Sequence, residues 1–400
     1  MNLLFLTSVE VSPFGSGIQR ITHVLSQAFQ NHGIDCYSTY YINNEDEFKT
    51  FFVAKLKLER GNEYEPMKNF ITDNKIQFII CQGVNTGLCA FENIRRAADS
   101  AGNCKLVYCL HTTPAQFDVK PNNSAEFFRI IHKIQVARSI KKLAAGLLPR
   151  AVFNFLAVIP IRKEFFVYND FFDKIILLSK NYIDDYGKIS KITANNKNKI
   201  VAIPNSLVFD AEILEDEIYK KQNEILIVTR LSDRQKRIST ALKIWKNVQQ
   251  KTDIEDWKLT IIGTGEDELY YKHLAKKHQI KAVNFEGKQN PIEYYRRASI
   301  FMMTSAHEGF PMTLLEAQQM GVVPIAFDSF GAVSDIIENE KNGLLVGKNN
   351  NNQYAKKLIW LMQNIEQRRK MAKFATDTCQ IFTLENVIRQ WVDLFNSKFL

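Results

Sequence analysis

The sequence predicts an α/β fold made of two doubly wound, Rossmann-like domains. Three observations point there: the length of the chain, the recurrence of short and continuous apolar runs, and the helical periods between those runs. At 400 residues the chain exceeds the size at which one hydrophobic core keeps growing, and domains of about 150–200 residues are the natural division. Runs of strand length without polar alternation indicate parallel strands buried on both faces, and the intervening helices supply the cover.

The elements follow in order. Residues 2–7 open as a strand around Leu3-Leu-Phe-Leu6 and lead into a glycine-containing loop, Phe14-Gly-Ser-Gly17. A helical period then runs from Ile18 to Phe29, completing a strand, phosphate-style turn and helix. Apolar runs recur at 78–80, 106–110 and 174–178. The second half repeats the pattern with strands expected at 224–228, 257–262, 282–285, 300–303, 322–326 and 343–346. Helices are expected near 238–250, 266–278, 292–297, 312–320 and 353–362. The join is expected at Ile203-Pro-Asn-Ser206, where Pro-Asn interrupts the pattern ahead of an acidic stretch. Domains of 1–203 and 204–383 follow, with a last helix over 384–400. Ligands of open parallel sheets bind outside the carboxyl ends of the strands, so the working site is expected in loops that follow strands.

Composition narrows the class. With 46% apolar and 24% charged residues the chain reads as a globular protein rather than a disordered or fibrous one. Six cysteines form no C-x-x-C pair and no histidine cluster has metal-ligand spacing, which predicts buried thiols in a reducing compartment. The first residues read as a strand rather than a signal peptide, and a cytoplasmic protein is expected. The net charge of +9 suggests an anionic partner. Much of the excess falls in 127–163, where Arg129, Lys133, Arg138, Lys141, Lys142, Arg150, Arg162 and Lys163 interleave with apolar residues and no acid occurs. That stretch suits either peripheral contact with an anionic membrane surface or a helix pair with solvated cations. Pro149, Arg150 and Asn154 make it too polar to span a bilayer. Without an aromatic-basic motif, nucleic acid is not expected as a partner.

Two loops carry candidate chemistry. After the 300–303 strand come Thr304-Ser-Ala-His307 and Glu308-Gly-Phe-Pro311, then a helix from Met312. Pro311 suits a first helical position, and the free amides of that turn favour a negatively charged ligand such as a diphosphate. Glu308 and Glu316 can face one pocket and hold vicinal hydroxyls; alternatively Glu308 meets the helix dipole and Glu316 is a solvated surface residue. The 224–228 strand runs into a cationic loop in which Arg230 can grip phosphate oxygens bidentately and Lys236 adds a point charge. Gly263-Thr-Gly265 hints at a dinucleotide turn, yet Glu268 occupies the third glycine position and opposes it. No Asp-x-Asp occurs, so no donor-bound metal is expected.

The Arg230-Leu-Ser-x-x-x-Lys236 loop, the Glu308 and Glu316 pair with seven residues between them, and the Gly17-Ile-Gln-Arg loop resemble the retaining nucleotide-sugar glycosyltransferases of family four, glycosyl transferases group 1. The resemblance covers essentially the whole chain and implies the GT-B fold, two Rossmann-like domains facing across a cleft, with the 384–400 helix and its Trp391 crossing back to the first. It implies that Arg230 and Lys236 bind the donor diphosphate, that Glu316 binds ribose hydroxyls, that Glu308 with the backbone of Gly309, Phe310 and Pro311 holds the hexose, and that Met312 also belongs to the donor site. His111 matches the histidine that faces the reacting sugar, and Gly17 matches the glycine loop, with Ser16-Gly17 in place of Gly-Gly. Also implied are a UDP- or GDP-sugar donor, a saccharide or lipid-linked acceptor, no cofactor, and hexosyl transfer with retention in polysaccharide or glycoconjugate assembly. The residue pattern leaves open a glycoside hydrolase using Glu308 and Glu316, a nucleotide-sugar epimerase, and a non-catalytic nucleotide-sugar-binding scaffold.

Overall fold

The computed structural model describes residues 1–44, 50–102, 104–115, 119–191, 198–209, 211, 213–252 and 256–397. It contains two compact units. One comprises Met1–Ala115, Val158–Val208 and Phe382–Leu400, the other Gln116–Ala157 and Phe209–Ile381.

In the first unit the strands are β1 (Asn2–Val9), β2 (Asp35–Ile42), β3 (Lys55–Lys57), β4 (Phe78–Gln82), β5 (Lys105–Leu110), β6 (Lys174–Leu177) and β7 (Ile200–Ala202). They pair in parallel in the order β3-β2-β1-β4-β5-β6-β7. Leu3 to Leu6 are fully buried, as expected of a strand covered on both faces. Strand β2 lacks an aliphatic run: Cys36-Tyr-Ser-Thr-Tyr-Tyr41 forms a strand because Tyr and Thr fit a pleated, buried surface, a signal that apolar counting does not detect. The helix Leu384–Ser397 packs back on this unit, with Phe395 lying 6.0 Å from Phe29 and 4.6 Å from Phe78 between ring centroids. Residues 398–400 of the expected terminal helix lie outside the described residues.

The second unit holds β8 (Gln222–Val228), β9 (Lys258–Ile262), β10 (Val283–Gly287), β11 (Ala298–Met303), β12 (Val323–Asp328) and β13 (Leu344–Gly347). They pair in parallel in the order β10-β9-β8-β11-β12-β13. Its core joins Ile225, Leu242, Trp245, Tyr271, Ile325 and Tyr354, all essentially excluded from solvent. In each sheet the chain starts centrally and winds first one way, then the other. The switch points lie between β1 and β4 and between β8 and β11, the places where doubly wound sheets bind ligands.

Residues 116–157 belong to the second unit, although the sequence pattern expects one amino-terminal domain over 1–203. The helix Asn123–Ile131 explains the difference. Its Ala125 enters the second core and Phe128 lies 5.4 Å from Tyr270. Its Arg129, 3% exposed, pairs with Glu126 and with the fully buried Asp267. Arg138 and Lys142 of the helix Val136–Leu147 reach Glu266 at 3.2 and 3.4 Å. Three cations of the basic 127–163 stretch, expected either at a membrane surface or solvated on a helix pair, are therefore paired with acids of their own unit. Lys133, Lys141, Arg162 and Lys163 are exposed, as are Leu147 and Phe155. Among the described residues no helix is long and apolar enough to cross a membrane.

Candidate active site

The loop after β8 is laid against the end of β9. The Thr229 amide donates to Ile262 O and the Leu231 amide to Thr264 O, both at 2.9 Å. Gly263 and Gly265 permit this approach, because a Cβ would stand 1.8 Å from Thr229 O at the first and 2.3 Å from Leu231 O at the second. Gly263 also has φ +128°, a conformation that favours glycine. The glycine pair that hints at a dinucleotide turn thus seats the cationic loop.

That loop is then tied to the one following β11. The Ala306 amide donates to Gln235 O at 2.7 Å, and Thr304 Oγ1 donates to Lys236 O at 3.0 Å. Gln235 Nε2 donates to His307 O and to Glu308 Oε2 at 3.3 and 3.2 Å. Lys236 Nζ pairs with Glu308 Oε1 at 2.6 Å, the two side chains only 17% and 9% exposed. An ion pair so shielded interacts more strongly than one in water. Arg230 remains exposed, its Nη2 donating to Gln235 Oε1 at 3.2 Å. The strands on either side of the switch point therefore deliver Arg230, Lys236 and Glu308 to one place.

The helix Met312–Gln319 begins at Met312, as expected. Pro311 is its N-cap, with φ −76° and ψ 92°, rather than its first helical residue. The orphan amides of the first turn still give this end a positive partial charge. Gly309, Phe310 and Pro311 are buried beneath it. Glu316 is 1% exposed, and Tyr295 donates its hydroxyl to Oε2 at 3.0 Å, so it is not a solvated surface residue. Glu308 and Glu316 are thus held by different partners. His307, next to Glu308, has its pKa brought down to about 4 by burial.

A layer behind the loop is invisible to motif reading. Asp267 Oδ2 accepts the Asp233 amide at 2.7 Å, while its other oxygen binds Arg129. The Asp233 carboxylate accepts the Ser239 amide and hydroxyl, both at 2.9 Å, and the Asn122 side chain. Arg234 Nε donates to Val119 O at 3.2 Å. The one local signal is Asp233, an acid set among the cations of the loop. Its distant partners have none.

His111 and Gly17 lie in the first unit. His111 follows β5, and its Nε2 donates to Gln82 Oε1 at 2.5 Å. Burial lowers its pKa to about 4, so the ring is neutral near pH 7. Gly83, after β4, has φ +66°, and a Cβ there would meet Ile18 Cδ1 at 3.3 Å and His111 Cδ2 at 3.5 Å. Loops at the ends of β4 and β5 and the start of the helix Gly17–Asn31 therefore converge. A Cβ on Gly17 would meet nothing within 4 Å. Gln82 and Gly83 were missed in the sequence, where only a glycine directly after a strand marks them.

Comparison with known proteins fits this arrangement. The chain is 29% identical over 229 residues to the amylovoran biosynthesis glycosyltransferase AmsD of Erwinia amylovora, covering 56% of this chain and 62% of that protein. It is 29% identical over 199 residues to a Campylobacter jejuni alpha-1,4-N-acetyl-D-galactosaminyltransferase named for a PP-undecaprenol-linked glycan, covering 49% and 54%. The matches thus span only about half to three-fifths of these relatives. Among solved structures, Anabaena HepE with UDP-glucose superposes with a TM-score of 0.70 at 14% identity, over 99% of this chain and all of that one. A Staphylococcus aureus TarM variant with fondaparinux, alpha-GlcNAc-glycerol and UDP gives 0.74 at 12%, over 99% of this chain and all of that one. Likeness at such identities is one of fold, and the fold is GT-B. Residues 209–378, which hold Arg230, Lys236, Glu308 and Glu316, match the family described as glycosyl transferases group 1.

Proposed function

We propose that the protein is a retaining glycosyltransferase that moves a hexosyl unit from a UDP- or GDP-sugar to a saccharide or lipid-linked acceptor, in polysaccharide or glycoconjugate biosynthesis. The observation that carries this reading is the joining of the two loops at the β8/β11 switch point, through the Lys236–Glu308 pair at 2.6 Å. Exposed Arg230 grips the donor diphosphate, Lys236 adds its charge, and the first-turn amides from Met312 complete an electropositive seat. Charge that develops on the departing diphosphate is stabilised there more than charge in the ground state, which is what accelerates the step. Glu308 orients the hexose hydroxyls and Glu316 the ribose hydroxyls. His111 meets the reacting sugar as a neutral imidazole. The acceptor hydroxyl attacks on the face the diphosphate leaves, and a diphosphate oxygen takes its proton. Cationic side chains and amides carry the work, without a cofactor or a donor-bound metal. The UDP in the HepE and TarM complexes favours a UDP-sugar over a GDP-sugar.

Engagement of Glu308 by Lys236 and of Glu316 by Tyr295 disfavours a hydrolase that would use them as acid and nucleophile. The test is a thermal-shift panel of nucleotide sugars. A true donor at ~100 times its dissociation constant adds about 2.7 kcal/mol, and supplied acceptors then release UDP or GDP from it, in EDTA as in buffer. No shift with any nucleotide sugar refutes the proposal; a shift without release favours the scaffold, and conversion of the donor without acceptor the epimerase.

The acceptor end of the proposal rests on the exposed Phe127, Ile131, Leu147 and Phe155 with Lys133 and Lys141, all of the second unit. Such a mixture suits the cytoplasmic, anionic face of a bilayer, where a lipid-linked acceptor resides. Co-sedimentation with phosphatidylglycerol vesicles at low salt is expected, and its absence removes this part.

A further inference from the structure

His111 is held along one edge of its ring by the end of the neighbouring strand. Gln82, the last residue of β4, pairs in register with Cys109 of β5. His111 stands two positions beyond Cys109, and side chains two apart along a strand share a face. Gln82 is only 2% exposed, and its Oε1 lies 2.5 Å from His111 Nε2. The next residue, Gly83, turns at φ +66°, and a Cβ on it would lie 3.5 Å from His111 Cδ2 and 3.8 Å from His111 Cβ. The Nε2–Cδ2 edge of the ring therefore faces the end of β4, and the Nδ1–Cε1 edge is turned the other way. The ring is partly exposed, and no hydrogen-bond partner meets Nδ1 among the described residues.

These contacts decide which nitrogen carries the hydrogen. The amide oxygen of Gln82 can only accept, so Nε2 donates. A neutral imidazole has a single N–H, and Nδ1 keeps its lone pair. Burial lowers the pKa to about 4, so that lone pair is not protonated near pH 7. Turning the ring over would set Cε1 against Gln82 Oε1 and leave a buried amide oxygen without its partner, which is costly. Gln82 thus selects both the orientation of the ring and its tautomer.

We propose that Gln82 is a positioning residue for the transfer: by accepting the Nε2 hydrogen it presents the Nδ1 lone pair of His111 to a hydroxyl group of the transferred sugar, which donates to it. The inference rests on the reading in which His111 meets the reacting sugar, and it narrows that role. At its open edge a ring so held takes a hydrogen bond and has none to give. It therefore neither protonates the departing diphosphate nor stabilises its charge, and the sugar it selects carries a free hydroxyl where the two meet.

The test is nitrogen NMR of the full chain labelled at its seven histidines, with the His111 signals identified by their loss in His111→Asn. Near pH 7 the free protein is expected to show a protonated Nε2 and a bare Nδ1. UDP-glucose, UDP-galactose, UDP-N-acetylglucosamine and GDP-mannose are each compared with the nucleotide alone. A sugar donor that binds moves the Nδ1 resonance, and UDP or GDP leaves it in place. Gln82→Met, close in size but without the acceptor, mixes the tautomers and weakens that donor roughly fivefold, the worth of one hydrogen bond, while affinity for the nucleotide alone stays within about twofold. Gln82→Glu supplies an acceptor oxygen again and restores the single tautomer with most of the lost affinity. Where Gln82→Met fails to fold, the wild-type spectra decide. A hydrogen on Nδ1 of the free wild-type protein, a single tautomer retained in Gln82→Met, or an Nδ1 resonance indifferent to every sugar donor that binds overturns the proposal and leaves the donor reading standing. The expected tautomer in a protein that binds none of the nucleotide sugars refutes the donor reading, and the hydroxyl contact with it.

Discussion

Replacing Arg129 by methionine removes the one cation between two buried carboxylates. Arg129 is 3% exposed, and its partners Glu126 and Asp267 are 2% and 0% exposed. Glu266 stands further off at 3.7 Å and Lys142 approaches Glu126 at 3.6 Å, so neither replaces the lost contacts. Breaking a buried pair by deleting one partner costs about 3–5 kcal/mol, mostly because the other charge is left uncompensated. For a unit of this size that corresponds to roughly 6–20 °C in melting temperature. Burial already holds the Asp267 pKa above the usual carboxylate value, against the pull of Arg129. Without Arg129 it rises further, and the folded state binds a proton more readily than the unfolded chain. Stability relative to wild type at the same pH therefore recovers as pH falls from 7 towards 5. Arg129→Met/Asp267→Asn recovers it at pH 7, since an asparagine oxygen still accepts the Asp233 amide. Scanning calorimetry of the three proteins at both pH values decides it. A single variant melting within about 2 °C of wild type, or one with no recovery in acid, would refute the reasoning.

Three further outcomes follow from the same geometry. Arg230→Ala should lower turnover by about 10²–10³-fold, as loss of one charge-stabilising donor does, while donor affinity changes much less; wild-type turnover would remove Arg230 from the site. Gly263→Ala places a Cβ 1.8 Å from Thr229 O at φ +128°. The backbone conformation alone costs about 1–3 kcal/mol, and the displaced Arg230 loop should shrink the nucleotide-sugar thermal shift; an unchanged melt and shift would show that the turn is not a seat for the loop. His111 and His307 both have folded pKa values near 4 because of burial, below the ordinary 6.5. Each contributes stability that is complete above pH 6.5 and is lost as pH falls to about 4, up to roughly 3 kcal/mol apiece. Melting temperature against pH checks this, and a flat profile across that window contradicts it.

Much of the fold is legible because its signals are local. Leu3 to Leu6, Ile225 to Val228 and Ile300 to Met303 are runs that only a doubly covered parallel strand buries well, and the helices between them carry their own period. Strand β2 escapes because tyrosine, serine and threonine supply its inward face. The candidate loops are legible for the same reason: Arg230, Lys236 and Glu308 sit directly after strands, where a doubly wound sheet presents ligand-binding groups.

Sequence alone therefore determined the two parallel sheets, the start of the helix at Met312, and the loops that bear the charge. Tertiary structure decided which groups meet. Arg129 finds Asp267 across 138 residues of sequence and carries 116–157 into the second unit, whereas the sequence pattern expected it to stay in the first. Glu316 is withdrawn from water by Tyr295, and the strand order puts the Arg230 and Glu308 loops on either side of one switch point. Periodicity and turn chemistry act over a few residues and can be read in order. The partner of a buried charge is chosen by the topology that brings distant segments together, because an uncompensated charge in the core costs more than nearly any local preference can offset.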